Sequence, residues 1–347
     1  MGVPEKIHIF ATDDCNLKCA YCFKETYDSS ETEKNLLKIA EILATNDVKR
    51  VVIGGGEPLL VKNLEDVLKI LKKKDISVDL HTNCTLLNHK KLEGLQGLVD
   101  KIGIPIDTLD EKVQYMLRGY DHYVKLVKNV AKDAQQLGFG IVFHTVAMET
   151  EKQKIPQLYQ NFIAHQDFDC WKIYEYNQKL TMQRSEDSPW FRTNRDVFDY
   201  FMCENEASTG GTDSNLAEFL LLEEKLLKYK NKRIKPVGVL YANDYFFINS
   251  AGDAKYYTWF APNRITFANL FKDKFPAVIK KFENMEKEFG ENRSEDFFGT
   301  LQCMPLFARY WEGNYIEEEM EQVDGRHAPK FYHLANLWKR HVLRSGG

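Results

Sequence analysis

Three cysteines crowd one stretch of this chain, Cys15-Asn16-Leu17-Lys18-Cys19-Ala20-Tyr21-Cys22, and their C-x3-C-x2-C spacing puts three thiolates on one loop. Thiolates so placed can reach three irons of a 4Fe-4S cluster, because such clusters are held by cysteine sulfur. Three protein ligands leave one iron open to bind and activate a small molecule, whereas a cluster that only carries electrons generally has four. The same thiolates joined by His8 or His81 would instead make a zinc site of Cys3His type. A second candidate is Gly55-Gly56-Glu57-Pro58. Glycines let a ligand come close to the backbone, and Glu57 can accept a hydrogen bond from an ammonium group. Taken alone, the segment also reads as a tight turn between strand and helix. No Gly-Lys-Ser/Thr follows it, so it is not a P-loop.

These groups need a scaffold. Lys6 to Ala11 reads as a short apolar strand that ends at the cysteine loop, and residues 32 to 45 carry a helical stripe of Leu36, Leu37, Ile39, Ala40 and Leu43. Arg50 to Ile53 reads as a second strand ending at the glycines, after which Asn63 can cap a helix with Leu64, Val67, Leu68 and Leu71. Further strands are expected at Ser77–Leu80, Ile102–Ile106, Phe139–Val146 and Trp171–Tyr176, with helices at about 89–99, 120–137 and 156–164. Six such βα units predict an α/β fold, a parallel sheet with helices outside it, and suit an open, partial (β/α)6 barrel better than a closed one of eight. Residues 1–180 are therefore expected to form the partial barrel. Residues 181–347 read as a mixed α+β C-terminal extension covering the active site, with helices at about 194–203, 216–230, 270–289 and 328–343 and a β-hairpin over 245–259.

Composition limits the function classes. Of 347 residues, 44% are hydrophobic and 13% aromatic, enough for a substantial core and too many for a disordered chain. Against 51 acidic residues stand 47 Lys and Arg, a net charge of −4, which argues against general nucleic-acid or membrane-surface binding. No apolar run reaches the roughly 18 residues needed to span a bilayer, and Met1 to Lys6 lacks a signal peptide's apolar stretch. Seven cysteines is an odd number, and a clustered trio beside scattered thiols points to ligands in a reducing compartment, so a cytoplasmic protein is expected. Cys84, Cys170, Cys203 and Cys303 read as small buried hydrophobes. His144, on the fifth strand, is a candidate to face the barrel interior and touch substrate.

The cysteine loop with aromatic Tyr21 before its last cysteine, then Gly-Gly-Glu-Pro, then Thr82-Asn83 after the third strand resemble, in that order, the radical S-adenosylmethionine (radical SAM) superfamily. The resemblance implies that Cys15, Cys19 and Cys22 hold a 4Fe-4S cluster and that SAM chelates its open iron. It also implies that Gly55, Gly56 and Glu57 contact the SAM methionine amino group and that Asp107 is a further SAM ligand. Cys84 stands where the superfamily often has glycine, and Pro105 where it often has serine. The implied activity is reductive cleavage of SAM and hydrogen abstraction from a small-molecule, nucleotide-like substrate, with electrons from an external donor.

A finer likeness is to the viperins, carried by Ile106-Asp107-Thr108-Leu109-Asp110-Glu111-Lys112-Val113, Arg118-Gly119 and Trp171-Lys172-Ile173-Tyr174. It implies that Lys172 meets an anionic substrate, although Cys170 and Val142 stand where that family has basic residues. Alternation along the sixth strand sets Lys172, Tyr174 and Tyr176 on one face and Trp171, Ile173 and Glu175 on the other. The first face is expected to point inward. Modification of a peptide or sugar is the alternative; only Cys203 and Cys303 follow residue 180, too few for the auxiliary clusters that many peptide-modifying relatives carry.

Overall fold

The computed structural model describes residues 3–22, 24, 31–147, 154–175, 233–237, 245–256 and 265–291. The expected helices at 194–203, 216–230 and 328–343, Cys203, Cys303, Tyr176 and the end of the expected hairpin lie outside these residues.

Strand and helix alternate as the apolar pattern demands. The first part runs β1 (Ile7–Thr12), α1 (Thr32–Ala44), β2 (Arg50–Gly55), α2 (Leu64–Lys72), β3 (Ser77–His81), α3 (His89–Leu95) and β4 (Lys101–Pro105). It continues through α4 (Glu111–Arg118), α5 (Tyr123–Gln136), β5 (Gly140–Ala147), α6 (Ile155–Asn161) and β6 (Cys170–Glu175). All six strands pair in parallel and in chain order, giving the open α/β barrel sheet. The later strands β7 (Ile234–Val237), β8 (Phe247–Asn249), β9 (Asp253–Tyr256) and β10 (Ile265–Asn269) extend the same sheet, and α7 (Phe275–Glu291) follows. The ten-stranded order is β10-β9-β8-β1-β2-β3-β4-β5-β6-β7, so both margins of the barrel sheet are covered by strands from beyond residue 181. β8 runs parallel to β1, and β9 and β10 turn back as antiparallel partners.

Side-chain contacts distinguish the two faces. Trp171 stacks on Tyr159 of α6, and Phe143 meets the Phe162 ring just past α6, so their face is the helix-covered one. Trp171 and Ile173 are fully buried there. On the other face His144 sits beside Tyr174 and His81, and its β6 partner in register is Lys172. Lys172 therefore faces the interior, as the alternation predicts. Helices seal the outer face with narrow apolar stripes, such as Leu36, Ile39, Ala40 and Leu43 on α1. Each buried Leu or Ile there contributes about 1.5–3 kcal/mol over its exposed state.

Three elements depart from the sequence reading. α4 was not expected, because its buried apolar residues are only Val113 and Leu117. Its ends are nevertheless well marked: Asp110 Oδ1 caps the amides of Lys112 and Val113, and Gly119 closes the helix with φ 69°. β10 was not expected, and the helix expected at about 270–289 begins at Phe275. β7 holds Pro236, tolerated because β7 is a margin strand. Asn63 does precede α2, but its side chain makes no cap and its Nδ2 donates to the Glu33 carbonyl at 2.7 Å.

Candidate active site at the rim of the sheet

The cysteine loop, the Gly-Gly-Glu-Pro segment, Thr82-Asn83 and Asp107 lie at or just past the C-terminal ends of β1 to β4, the edge where parallel α/β folds place their chemistry. The cysteine loop leaves β1 and the glycine segment leaves β2, and the two dock through backbone. Gly56 N donates to Thr12 O at 2.6 Å, and Glu57 N to Asp14 O at 2.7 Å. A Cβ at Gly56 would drive into the Asp14 backbone, so only glycine permits this approach. Gly55, at φ +124°, takes a conformation that side chains rarely adopt.

The resemblance makes Glu57 a contact for the SAM amino group, and the fold surrounds its side chain with donors from the protein. Its carboxylate is fully buried and engaged inside the protein: Oε1 accepts from Thr82 Oγ1 at 2.7 Å and Leu59 N at 3.1 Å, and Oε2 from Asn83 N at 2.7 Å. Burial pushes its pKa up, and those three donors pull it back down. Glu57 thus binds the end of β2 to the end of β3. Asn83 in turn donates to Asn16 at 2.8 Å and approaches Cys15 Sγ at 3.7 Å.

Asp107, which the resemblance makes a further SAM ligand, is likewise engaged by donors from the protein. It is buried, and its Oδ2 accepts from Tyr21 Oη at 2.7 Å, Arg118 Nη2 at 2.8 Å, Arg118 Nε at 3.1 Å and Gln114 Nε2 at 3.1 Å. Its Oδ1 accepts from Val146 N at 3.0 Å. Asp107 is a brace joining the cysteine loop, α4 and β5. The sequence reading gave no site role to Arg118, Gln114 and Tyr123. Arg118 is buried, lies 4.9 Å from the Tyr123 ring, and brings Nη1 within 4.0 Å of Cys19 Sγ. Its only sequence signal was a place in the Arg118-Gly119 likeness.

Cys84 holds φ +68° although it is not glycine, with its amide bonded to Thr82 Oγ1 at 3.1 Å and its side chain fully buried. The backbone conformation expected of a glycine is therefore kept, with strain of about 1–3 kcal/mol.

The thiol loop fits a cluster in its donor chemistry. Cys15, Cys19 and Cys22 form no disulfide and are partly exposed. Burial pushes the Cys19 thiol up to about 12 against the pull of Arg118, and burial raises Cys15 as well. Leu17 N lies 3.5 Å from Cys15 Sγ, so hydrogen-bond donors and a guanidinium already face the sulfurs, as cluster thiolates require. His8 and His81, the fourth ligands that a zinc site would need, pack instead against Tyr245 and His144. Among the described residues no three His, Cys, Asp or Glu side chains are arranged to hold a single metal ion. Nor is any described helix long and apolar enough to cross a membrane.

The family model of the radical SAM superfamily matches residues 9–160. The GTP 3',8-cyclase of Campylobacter lari is 33% identical over 155 residues, 42% of this chain and 48% of that protein. A probable GTP 3',8-cyclase of Pyrococcus abyssi is 30% identical over 145 residues, 41% and 47% of the two chains. This chain thus spans about half the length of the curated relatives it matches. The viperin likeness has no counterpart in those names. Among solved structures, native anSMEcpe with bound AdoMet superposes with TM-score 0.57 at 16% identity, covering 81% of this chain and 82% of that one. SuiB of Streptococcus suis bound to its precursor peptide gives 0.53 at 17%, covering 80% of this chain and 65% of that one. Likeness at this identity establishes the fold. Residues 9–160 of this chain thus match the radical SAM superfamily model, and the chain carries the α/β fold of its structural neighbours.

Proposed function

We propose that this protein is a radical SAM enzyme in which Cys15, Cys19 and Cys22 hold a 4Fe-4S cluster and that its substrate is a small, nucleotide-like molecule. The observation that carries the reading is the docking of the cysteine loop onto Gly56 and Glu57, which fixes three thiols beside the C-terminal end of β2. When bound, the cluster supplies the electron that cleaves SAM reductively, and the resulting 5′-deoxyadenosyl radical abstracts hydrogen from the substrate.

The chain's own residues do the positioning. Gly55 and Gly56 offer backbone to the SAM amino group, Glu57 keeps that backbone in place, and Asp107 with Arg118 fixes Tyr21 and the flank of the cysteine loop. Inward-facing Lys172 and His144 are the substrate-binding residues of this reading. Support for a nucleotide-like substrate comes from the cyclase names of the relatives and from that inward lysine, whose ammonium suits phosphate. An external protein or small-molecule reductant supplies electrons.

Anaerobic reconstitution tests the reading. The full chain should take up about four irons and four sulfides, and with dithionite and SAM it should release 5′-deoxyadenosine. Cys19→Ala should abolish both. Deuterium passing from a labelled nucleotide into 5′-deoxyadenosine would establish the substrate class, whereas zinc without iron-sulfur absorbance in protein handled without oxygen would refute the whole reading.

A further inference from the structure

Behind the rim, the interior face carries three histidines from three strands: His8 on β1, His81 on β3 and His144 on β5. Ring centroids of His81 and His144 are 4.2 Å apart, and those of His8 and His81 are 6.3 Å apart. Gly103 on β4 makes the room, since a Cβ there would strike the His81 imidazole and lie 3.0 Å from His144 Nε2. Tyr245 stacks on His8 at 4.2 Å, and the Tyr174 hydroxyl is 3.2 Å from His144 Nδ1. Yet Nε2 of all three histidines is buried without a hydrogen-bond partner. Buried polar atoms are normally satisfied, and three unsatisfied nitrogens on one wall indicate a missing partner.

Charge narrows what that partner is. The charged side chains that act most on these imidazoles are Lys172 from β6, which reaches all three, Lys6 from the residue before β1, which reaches His8 and His81, and Arg118 from α4, which reaches His144. Asp79, also on β3, faces Arg50, Lys101 and Lys172. Tyr174 and Tyr245 complete the surround as neutral phenols. A partner that accepts hydrogen bonds and carries negative charge meets both conditions.

We propose that His8, His81 and His144, together with Lys172, form an oxyanion subsite that receives a phosphate group of the substrate. This rests on the radical SAM reading above and deepens it by assigning the substrate's anionic end to a definite wall. A consequence separates the subsite from a merely structural histidine cluster. Burial and the neighbouring cations keep the three imidazoles neutral, well below their usual pKa. A phosphate opposes that balance and raises the affinity of the imidazoles for protons, so its binding should draw protons from solution.

Calorimetric titration of the reconstituted full chain at pH 7.5, in two buffers of different ionisation enthalpy, tests this with inorganic pyrophosphate, GTP and guanosine. Pyrophosphate and GTP should bind with net proton uptake, GTP at least about tenfold more tightly than guanosine, as expected of charged hydrogen bonds. His81→Gln and His144→Gln keep an amide that can donate but cannot titrate, so they should reduce the proton uptake while iron content stays unchanged. Lys172→Met should weaken pyrophosphate by about tenfold or more. The proposal falls if pyrophosphate does not bind, or if proton uptake is the same in both glutamine variants as in the wild type. Release of 5′-deoxyadenosine without any nucleotide, measured on the same preparations, judges the radical SAM reading separately: its absence with pyrophosphate bound would remove the activity and leave the subsite.

Discussion

The rim of this sheet and the wall behind it are both polar, yet they are built on opposite plans. At the rim, Glu57 and Asp107 each gather donors from several elements, so the shape of the site is complete within the protein. On the wall, His8, His81 and His144 each keep one nitrogen without a partner. The contrast shows where preorganisation ends and ligand recognition begins. A cluster loop must hold still to bind three irons, whereas a substrate wall must leave hydrogen bonds for the substrate to make.

The largest effect that would break the comparison is at the rim. Asp107→Ala leaves the Arg118 guanidinium buried without its carboxylate, and removing one partner of such a pair costs about 3–5 kcal/mol. Urea unfolding should show a loss of that order together with reduced iron uptake. A loss below about 1 kcal/mol, the range of an exposed pair, would mean that the rim is no more preorganised than the wall.

A smaller effect sharpens the wall. The three imidazoles are neutral in the fold, but in the unfolded chain they take a proton near pH 6.5, as free histidine does. The unfolded state then binds more protons, so their contribution to stability is full above about pH 6.5 and is lost as pH falls through it. Glu57 and Asp79, raised by burial, act in the opposite direction and over the lower carboxylate range. In phosphate-free buffer the melting temperature should be lower at pH 5.5 than at pH 7.5, with a smaller drop in His81→Gln. Added pyrophosphate should also lessen the drop. An equal drop in all three samples would detach these histidines from both the pH response and the anion.

The smallest expected effect lies between the two regions. Cys84→Gly relieves the positive φ but removes a fully buried side chain, and the two terms are close in size. Denaturant midpoints should place the variant within about 1 kcal/mol of the wild type. A larger loss would show that the thiol packing matters more than the backbone it strains.

The amino-acid sequence by itself determined what depends on near neighbours. The three cysteines act through spacing on one loop, the βα alternation through apolar periodicity, and the inward turn of Lys172 through the strict alternation of a strand. For that reason the open parallel barrel, the rim position of the motifs and the facing of β6 were all readable. α4 was missed although Asp110 and Gly119 marked its ends, because two buried apolar residues make too thin a stripe. Only the tertiary structure decided the rest. Glu57 meets partners 25 and 26 positions away, and Asp107 meets Tyr21 at 86 positions and Val146 at 39. His8, His81 and His144 become neighbours only because parallel pairing brings β1, β3 and β5 to one interior face. Whether a carboxylate contacts a ligand or braces a loop depends on which donors the fold carries to it, and that is a property of register and packing rather than of local sequence.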